Sequence, residues 1–384
     1  MRTNLLYREF TRIRGGKVPD AKTLGRLAQA IGPAVVAALH QRVVTIAHQE
    51  KVVAGRKLRV DTTVVETNIH YPTDSSLLGD GVRVLTRVMK RVTAIAGKVG
   101  TTLRDRTRSV KYRLLEIGRA SRTRGGPAKE KLQALYRRLL ATTGRVVGQA
   151  KRFAHEITSG VKGSIDVMAQ AALEGLNQEL DVMVPRVQQV MRQARARVLG
   201  GDTRVAGKLV SLFEPTTEII RKGKASKPTE FGKLVKIQEA EQQIIVDYAV
   251  YAKRPSDSEL LVPAIEVHAQ RLGRVPDLVA ADAGFYSAAA ATTAKGLGVK
   301  RVSVPNRATK SPQRKREQKK RWFKQAQKWR TGCEGRISLL KRRHGLTRCR
   351  YKGDAGMQRW VGLGVLGDNL INLGTALARA KRQS

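Results

Sequence analysis

The sequence predicts an α/β fold: a mixed sheet flanked by helices, with a helical N-terminal region and a large all-α insertion. Three observations predict it. "KLRVDTTVVET", residues 57–67, crowds β-branched residues between Gly55 and the polar loop "NIHYPTDSS", the pattern of a strand running into a turn. "FGKLVKI" and "QQIIVDYAVYA" are two further strand-like runs, joined near Glu239 to Gln242 as a hairpin. "PDLVAADAGFYSAAAATTAKGLGVKRVSVPN" reads strand, turn, helix, strand, a βαβ unit whose first strand ends at Asp282.

The remaining elements follow in chain order. Residues 1–56 form a basic helical region. Its segment "AKTLGRLAQAIGPAVVAALHQRVVTIAHQE" has apolar positions three and four apart and is broken by Gly32-Pro33. After the first strand, Val84-Leu85, Val88-Met89, Val92, Ile95-Ala96 and Val99 recur at helical spacing, with Arg87, Lys90, Arg91 and Lys98 opposite them. Gly125-Gly126-Pro127 interrupts this pattern, and Leu132, Leu135-Tyr136, Leu139-Leu140 and Val146-Val147 resume it. A third helical run, from about Ile165 to Leu199, contains Pro185 and stops at Gly200-Gly201. "KLVSLF", 208–213, reads as a strand and "SELLVPAIEVHAQRLG" as a helix. "SPQRKREQKKRWFKQAQ" lacks apolar periodicity at its start and reads as a mobile basic segment leading into a helix at 329–343. An amphipathic stretch, "MQRWVGLGVLGDNLINLGTALARA", closes the chain. Its "GLGVLG" run reads as close helix packing, because no βαβ unit can follow it. These boundaries give an N-terminal helical region, 1–56; a sheet-bearing domain, 57–84 plus 203–384; and a basic helical insertion, 85–202.

Of 384 residues, 74 are Lys or Arg and 31 are Asp or Glu, a net charge of +43. That excess goes far beyond solubility and selects a polyanionic partner, nucleic acid first. Hydrophobic residues make up 41%, which argues against wholesale disorder. No apolar run approaches the roughly eighteen residues that span a bilayer, so no membrane partner is expected, and the first twenty residues lack a signal-peptide core. Two cysteines, Cys333 and Cys349, with no CxxC pair, make neither a disulfide framework nor a zinc site and fit a reducing cytoplasm.

From Lys300 to Lys352, 20 Lys and Arg stand against two acids, Glu317 and Glu334. Three acids in the chain are singled out by position. Asp61 lies in the β-branched strand, Asp282 at the C-terminal end of a strand predicted to be parallel, where open α/β sheets place ligands, and Glu334 on a helix in a basic field. Hard carboxylate oxygens converging from separate elements are what two-metal phosphoryl transfer requires. Singly, each acid has a plain explanation: a strand-end turn for Asp61, a helix cap for Asp282, an ion pair with Arg330 for Glu334. Their combination favours chemistry. At about 100° per residue, Arg330, Glu334 and Lys341 share one helix face, so a metal ligand and phosphate contacts are presented together. Arg336 and Trp329, in the same run, join Arg330 and Lys341 as candidate DNA contacts, Trp329 by stacking. Asp74 ranks second to Asp61, and His70 reads at least as well as a loop histidine. Arg104, Arg106, Arg108, Arg113, Arg119, Arg122 and Arg124 form a candidate DNA-backbone surface in the insertion.

"LRVDTTVVETNIHYPTDSSLL", "DLVAADAGFYS" and "WRTGCEGRISLLKRRHGLTRCRYKG" together resemble the corresponding blocks of bacterial insertion-sequence DDE transposases, in the IS-four/IS-five-like branch. The resemblance covers most of residues 17–380. It implies a ribonuclease-H-like catalytic domain, with Asp61, Asp282 and Glu334 as catalytic residues and ligands of Mg2+, for which Mn2+ can substitute. It also implies cleavage at element ends and strand transfer into target DNA, double-stranded DNA as partner, a homodimer in the DNA complex, and a cytoplasmic, nucleoid-associated protein. The family's helix signature, Y-x2-R-x3-E-x6-K, matches at Arg330, Glu334 and Lys341 and departs at Gln327, where Tyr is usual. Relatives often begin earlier than Met1, so part of an N-terminal end-recognition element is expected upstream. Two further readings stay open: a nuclease of the same fold without strand transfer, and a non-catalytic or truncated nucleic-acid-binding relative.

Overall fold

The computed structural model describes residues 9, 18–97, 100–123, 125–160, 166–221 and 228–383. Lys98, Val99, Arg124, Ile165 and, apart from Glu9, the first seventeen residues lie outside them. The chain divides into two units, one of residues 1–68 and 220–384 and one of residues 69–219.

In the first unit, helices α1 (Ala21–Ala30) and α2 (Pro33–Gln49) precede β1 (Lys57–Glu66). Asp20 caps α1 through the Thr23 amide, and Pro33 opens α2 where a missing N–H costs nothing. This region is not a separate domain. Val43, Val44, Ala47 and Val53 share a core with Ile244, Val246 and Leu272, and the buried His40 ring bonds the Ile245 carbonyl through Nε2 at 2.9 Å.

The sheet is mixed, as the hairpin and βαβ patterns predict. β2 (Glu218–Arg221), β3 (Thr229–Glu239), β1, β5 (Leu278–Ala280) and β6 (Arg301–Ser303) follow in that order, and β4 (Ile245–Val250) also pairs with β3. β3 is antiparallel to β1 and β4, whereas β5 is parallel to β1 and β6. Gln242 and Gln243 take positive φ in the β3–β4 turn.

Helices cover both faces. Leu58 and Val60 of β1 pack with α7 (Leu261–Leu272) and α8 (Ala288–Gly296). Residues of opposite parity, Arg59 and Asp61, meet a long basic helix instead. That helix begins earlier than expected. The segment expected to be mobile contains α9 (Pro312–Lys319) and the start of α10 (Arg321–Arg343). Ser311 caps α9, and Arg314 folds back onto the Val304 carbonyl and Glu317, contacts that a search for apolar periodicity cannot register.

The last helix, α11 (Gly353–Gln383), is long and apolar enough to cross a membrane by length and composition, against the expectation that no run approaches that length. Its place is in the core: Val361 and Val365 are fully buried, and buried Asn369 bonds the β4 backbone. Gly362 and Gly364 allow close packing, since a Cβ on either would lie 2.3 Å from Tyr248 Oη or Leu346 Cδ1.

The second unit is a bundle of α3 (Asp74–Ala96), α4 (Thr107–Ala120), α5 (Gly126–Thr158) and α6 (Val167–Ala194) around one apolar core. It extends past the predicted limits of 85 and 202, because Leu77, Leu78 and Val82 at one end and Leu209 and Leu212 at the other belong to that core. "KLVSLF" is no strand. The Gln193 amide bonds both the N–H and the C=O of Leu209, the groups a neighbouring strand would have served. Asp74 opens α3 buried against Arg197 and Gln193, a structural placement within the bundle.

Candidate active site

β1 and β5 set the frame. Their parallel register pairs Lys57 with Leu278, Leu58 with Val279 and Arg59 with Ala280. Asp61 and Asp282 each lie two residues beyond the last of these pairs, Asp61 still within β1 and Asp282 just past the end of β5, and their charges repel. Asp61 is largely buried, and its Oδ1 accepts the Thr62 amide at 2.7 Å. Asp282 caps the short turn Ala283–Phe285, its Oδ1 accepting the Gly284 amide at 2.8 Å. Phe285 is buried beneath this turn and fixes it to the core shared by α7 and α8. The plain alternative for Asp282, a cap on the following helix, falls instead to Ser287, whose hydroxyl accepts the Ala290 amide, while Asp282 caps only the short turn before it.

The third acid comes from α10. Glu334 is 56% exposed and pairs with Arg330 at 2.6 Å, one turn before it. Arg330 also reaches Asp61 Oδ2 at 3.4 Å, so one guanidinium lies between the two carboxylates. Burial first, and then the charges of Asp282 and Glu334, push the Asp61 carboxyl up to about 6, against the opposing pull of the Thr62 amide and Arg330.

Lys341 is half-buried on α10, about 10 Å beyond Glu334 along the axis at the usual helical rise. Trp329 carries the Arg59 guanidinium 4.8 Å from its ring centroid, and its carbonyl accepts from Arg59. Arg336 corrects an expectation. It is buried, donating to both oxygens of Asp368 at 3.1 Å and to Gln243, with Glu239 at 4.0 Å. Glu239 in turn pairs with Arg59 across the β1–β3 ladder. This buried chain of charges fastens α10 to the sheet and to α11, and leaves Arg336 no face for a phosphate.

Two residues were missed. Gln327, noted only as a departure from a signature, holds α10 against the ends of β5 and β6 by donating to the Ser303 and Ala281 carbonyls at 2.6 and 3.3 Å. Asp257, in the turn before α7, accepts the Thr62 hydroxyl at 3.2 Å. A single Asp ahead of a helix gave no signal beyond capping.

Among the described residues, no group of three His, Cys, Asp or Glu side chains stands close enough to hold a metal ion. The donor chemistry nonetheless fits a hard divalent cation. Asp61, Asp282 and Glu334 offer only carboxylate oxygens, and the repulsion among them is what a cation relieves. No curated protein and no solved structure matches the chain. Residues 292–374, from within α8 to within α11 and including Arg330, Glu334 and Lys341, match the family described as a transposase DDE domain, which supports a DDE transposase.

Proposed function

We propose that the protein is a transposase of the IS-four/IS-five-like branch that cleaves DNA at insertion-element ends and joins them to target DNA. The observation that carries this reading is the placing of Asp61 and Asp282 each two residues beyond the last registered pair of the parallel strands β1 and β5, near enough for the Asp282 charge to act on Asp61, with Glu334 coupled to Asp61 through Arg330. The strand order, antiparallel on one side of β1 and parallel on the other with helices on both faces, supports a ribonuclease-H-like core. The family match on the segment bearing Glu334 and the net charge of +43 point the same way.

In this reading Asp61, Asp282 and Glu334 hold Mg2+, or Mn2+ in its place. A bound pair of such ions would supply activation of the attacking oxygen and stabilisation of the leaving one. Asp61 and Asp282 are aimed by the backbone amides of Thr62 and Gly284, and burial of Asp61 keeps water from screening its charge. Glu334 is exposed enough to turn toward them. Arg330, between Asp61 and Glu334, is placed to hold the scissile or flanking phosphate, and Lys341 would hold a phosphate further along the helix. No protein nucleophile is needed, since positioning and charge neutralisation carry phosphoryl transfer. Water opens the phosphodiester, and the freed 3′ hydroxyl attacks target DNA in line. Two element ends must be held together, which a homodimer provides.

The test incubates purified protein with supercoiled plasmid and Mg2+ or Mn2+, beside Asp282→Asn. Metal-dependent nicking that disappears in the variant, while DNA binding stays, is expected. Joined products then separate a transposase from a nuclease. Binding with no nicking by the parent protein would sink the catalytic reading and leave a nucleic-acid binder.

A further inference from the structure

Asp257 begins the turn Asp257–Glu259 that links β4 to α7. The turn is held by a reciprocal cap, with Ser256 and Glu259 bonding each other's amides. The Asp257 carboxylate is therefore not consumed in holding its own turn. It spans two other places instead. Oδ1 accepts the Thr62 hydroxyl at 3.2 Å, and the amide of that same Thr62 orients Asp61. Oδ2 stands against Gly284, where a Cβ would come within 3.4 Å of it and 3.1 Å of Asp282 Oδ1. The Gly284 amide orients Asp282. One carboxylate thus bonds the residue whose amide aims Asp61 and lies beside the residue whose amide aims Asp282.

We propose that Asp257 is a positioning residue for the carboxylate pair: through Thr62 and Gly284 it sets Asp61 and Asp282 to share a divalent cation. The proposal rests on the metal-binding reading above. Outer partners of this kind fix the orientation of ligands they never replace, and their loss weakens metal affinity. The placement also favours a glycine at 284, since a Cβ there would crowd Asp282 Oδ1 at 3.1 Å and touch Asp257 Oδ2 at 3.4 Å.

The test is the rise in melting temperature of the full chain with Mn2+, titrated for the parent, Asp257→Ala, Thr62→Val, the double variant and Thr62→Ser. Half-saturation is expected to move up roughly 10-fold in each of the first two variants. It should move no further in the double variant than in Asp257→Ala, because the Thr62 hydroxyl acts only through Asp257. Thr62→Ser, which keeps the hydroxyl, should return it to within about twofold of the parent, with the metal-free melting temperature close to the parent's throughout. If Asp257→Ala does not fold, Thr62→Val alone decides. Half-saturation unchanged in the folded variants overturns this role and leaves the metal reading standing. A parent protein that Mn2+ does not stabilise overturns both.

Discussion

Asp61 carries a charge that its own fold resists. Burial and the nearby Asp282 and Glu334 hold its carboxyl up to about 6, well above the ordinary value of 3.8. A carboxyl raised on folding is easier to keep protonated in the native state, so the metal-free protein loses stability as pH rises from about 4 through 6. Asp61→Asn should therefore stabilise the metal-free chain above pH 6, by on the order of 2–3 kcal/mol, with the gain fading toward pH 4. Denaturant melts at pH 7.5 and pH 4.5 measure this, and equal effects at both would contradict it. Arg330 lowers the same carboxyl; Arg330→Ala should move the pH dependence to higher pH. Asp257 shows the limit of reading residues singly. Its bond joins positions 62 and 257, and no local pattern relates two residues so far apart in the chain.

At the scale of elements, α10 unites two roles on opposite faces. Arg336 follows Glu334 by two residues, about 200° around the helix, which puts it on the far side from Arg330, Glu334 and Lys341. There it neutralises Asp368 and approaches Glu239, both buried. Arg336→Ala strands those acids and should cost about 3–5 kcal/mol. The folded fraction should still bind DNA with an unchanged salt dependence, which a phosphate contact at this position would not allow. The periodicity needed to place Arg336 was present in the sequence; the basic composition of the run masked it, since counting cations does not say which turn inward. Strands and hairpin were legible because β-branched residues and turn chemistry are local signals, and the same signals located the strand, strand end and helix that carry Asp61, Asp282 and Glu334. "KLVSLF" misled because six apolar-rich residues look the same whether a strand or a Gln193 side chain satisfies the backbone. The limits of the helical unit were missed for a related reason: which helix a core belongs to is a tertiary property.

For the molecule as a whole, a net charge of +43 makes association with DNA a matter of counterion release, so affinity should fall linearly as salt rises on logarithmic axes. In the helical unit, Arg108, Arg119 and Arg122 are exposed on and just beyond α4, and Arg108 lies over the exposed Tyr112 ring. Replacing these three arginines with Glu should flatten the salt slope by roughly one for each phosphate no longer neutralised, and leave metal-dependent stabilisation untouched. Fluorescence anisotropy across a salt series reads the slope. The order of strands carries a further consequence, for how the chain comes to fold. β3 lies between β1 and β2, yet β1, which ends at Glu66, leaves the ribosome long before β3, which begins at Thr229. Whatever is built in that interval must return its end to the neighbourhood of its start. The β3–β4 hairpin can close at once, whereas β1 waits on a long-range pairing whose loop entropy falls once the intervening helices have condensed. Condensation of the helical unit should therefore speed closure of the sheet, and the two aspartates, one on each side of that delay, should meet late.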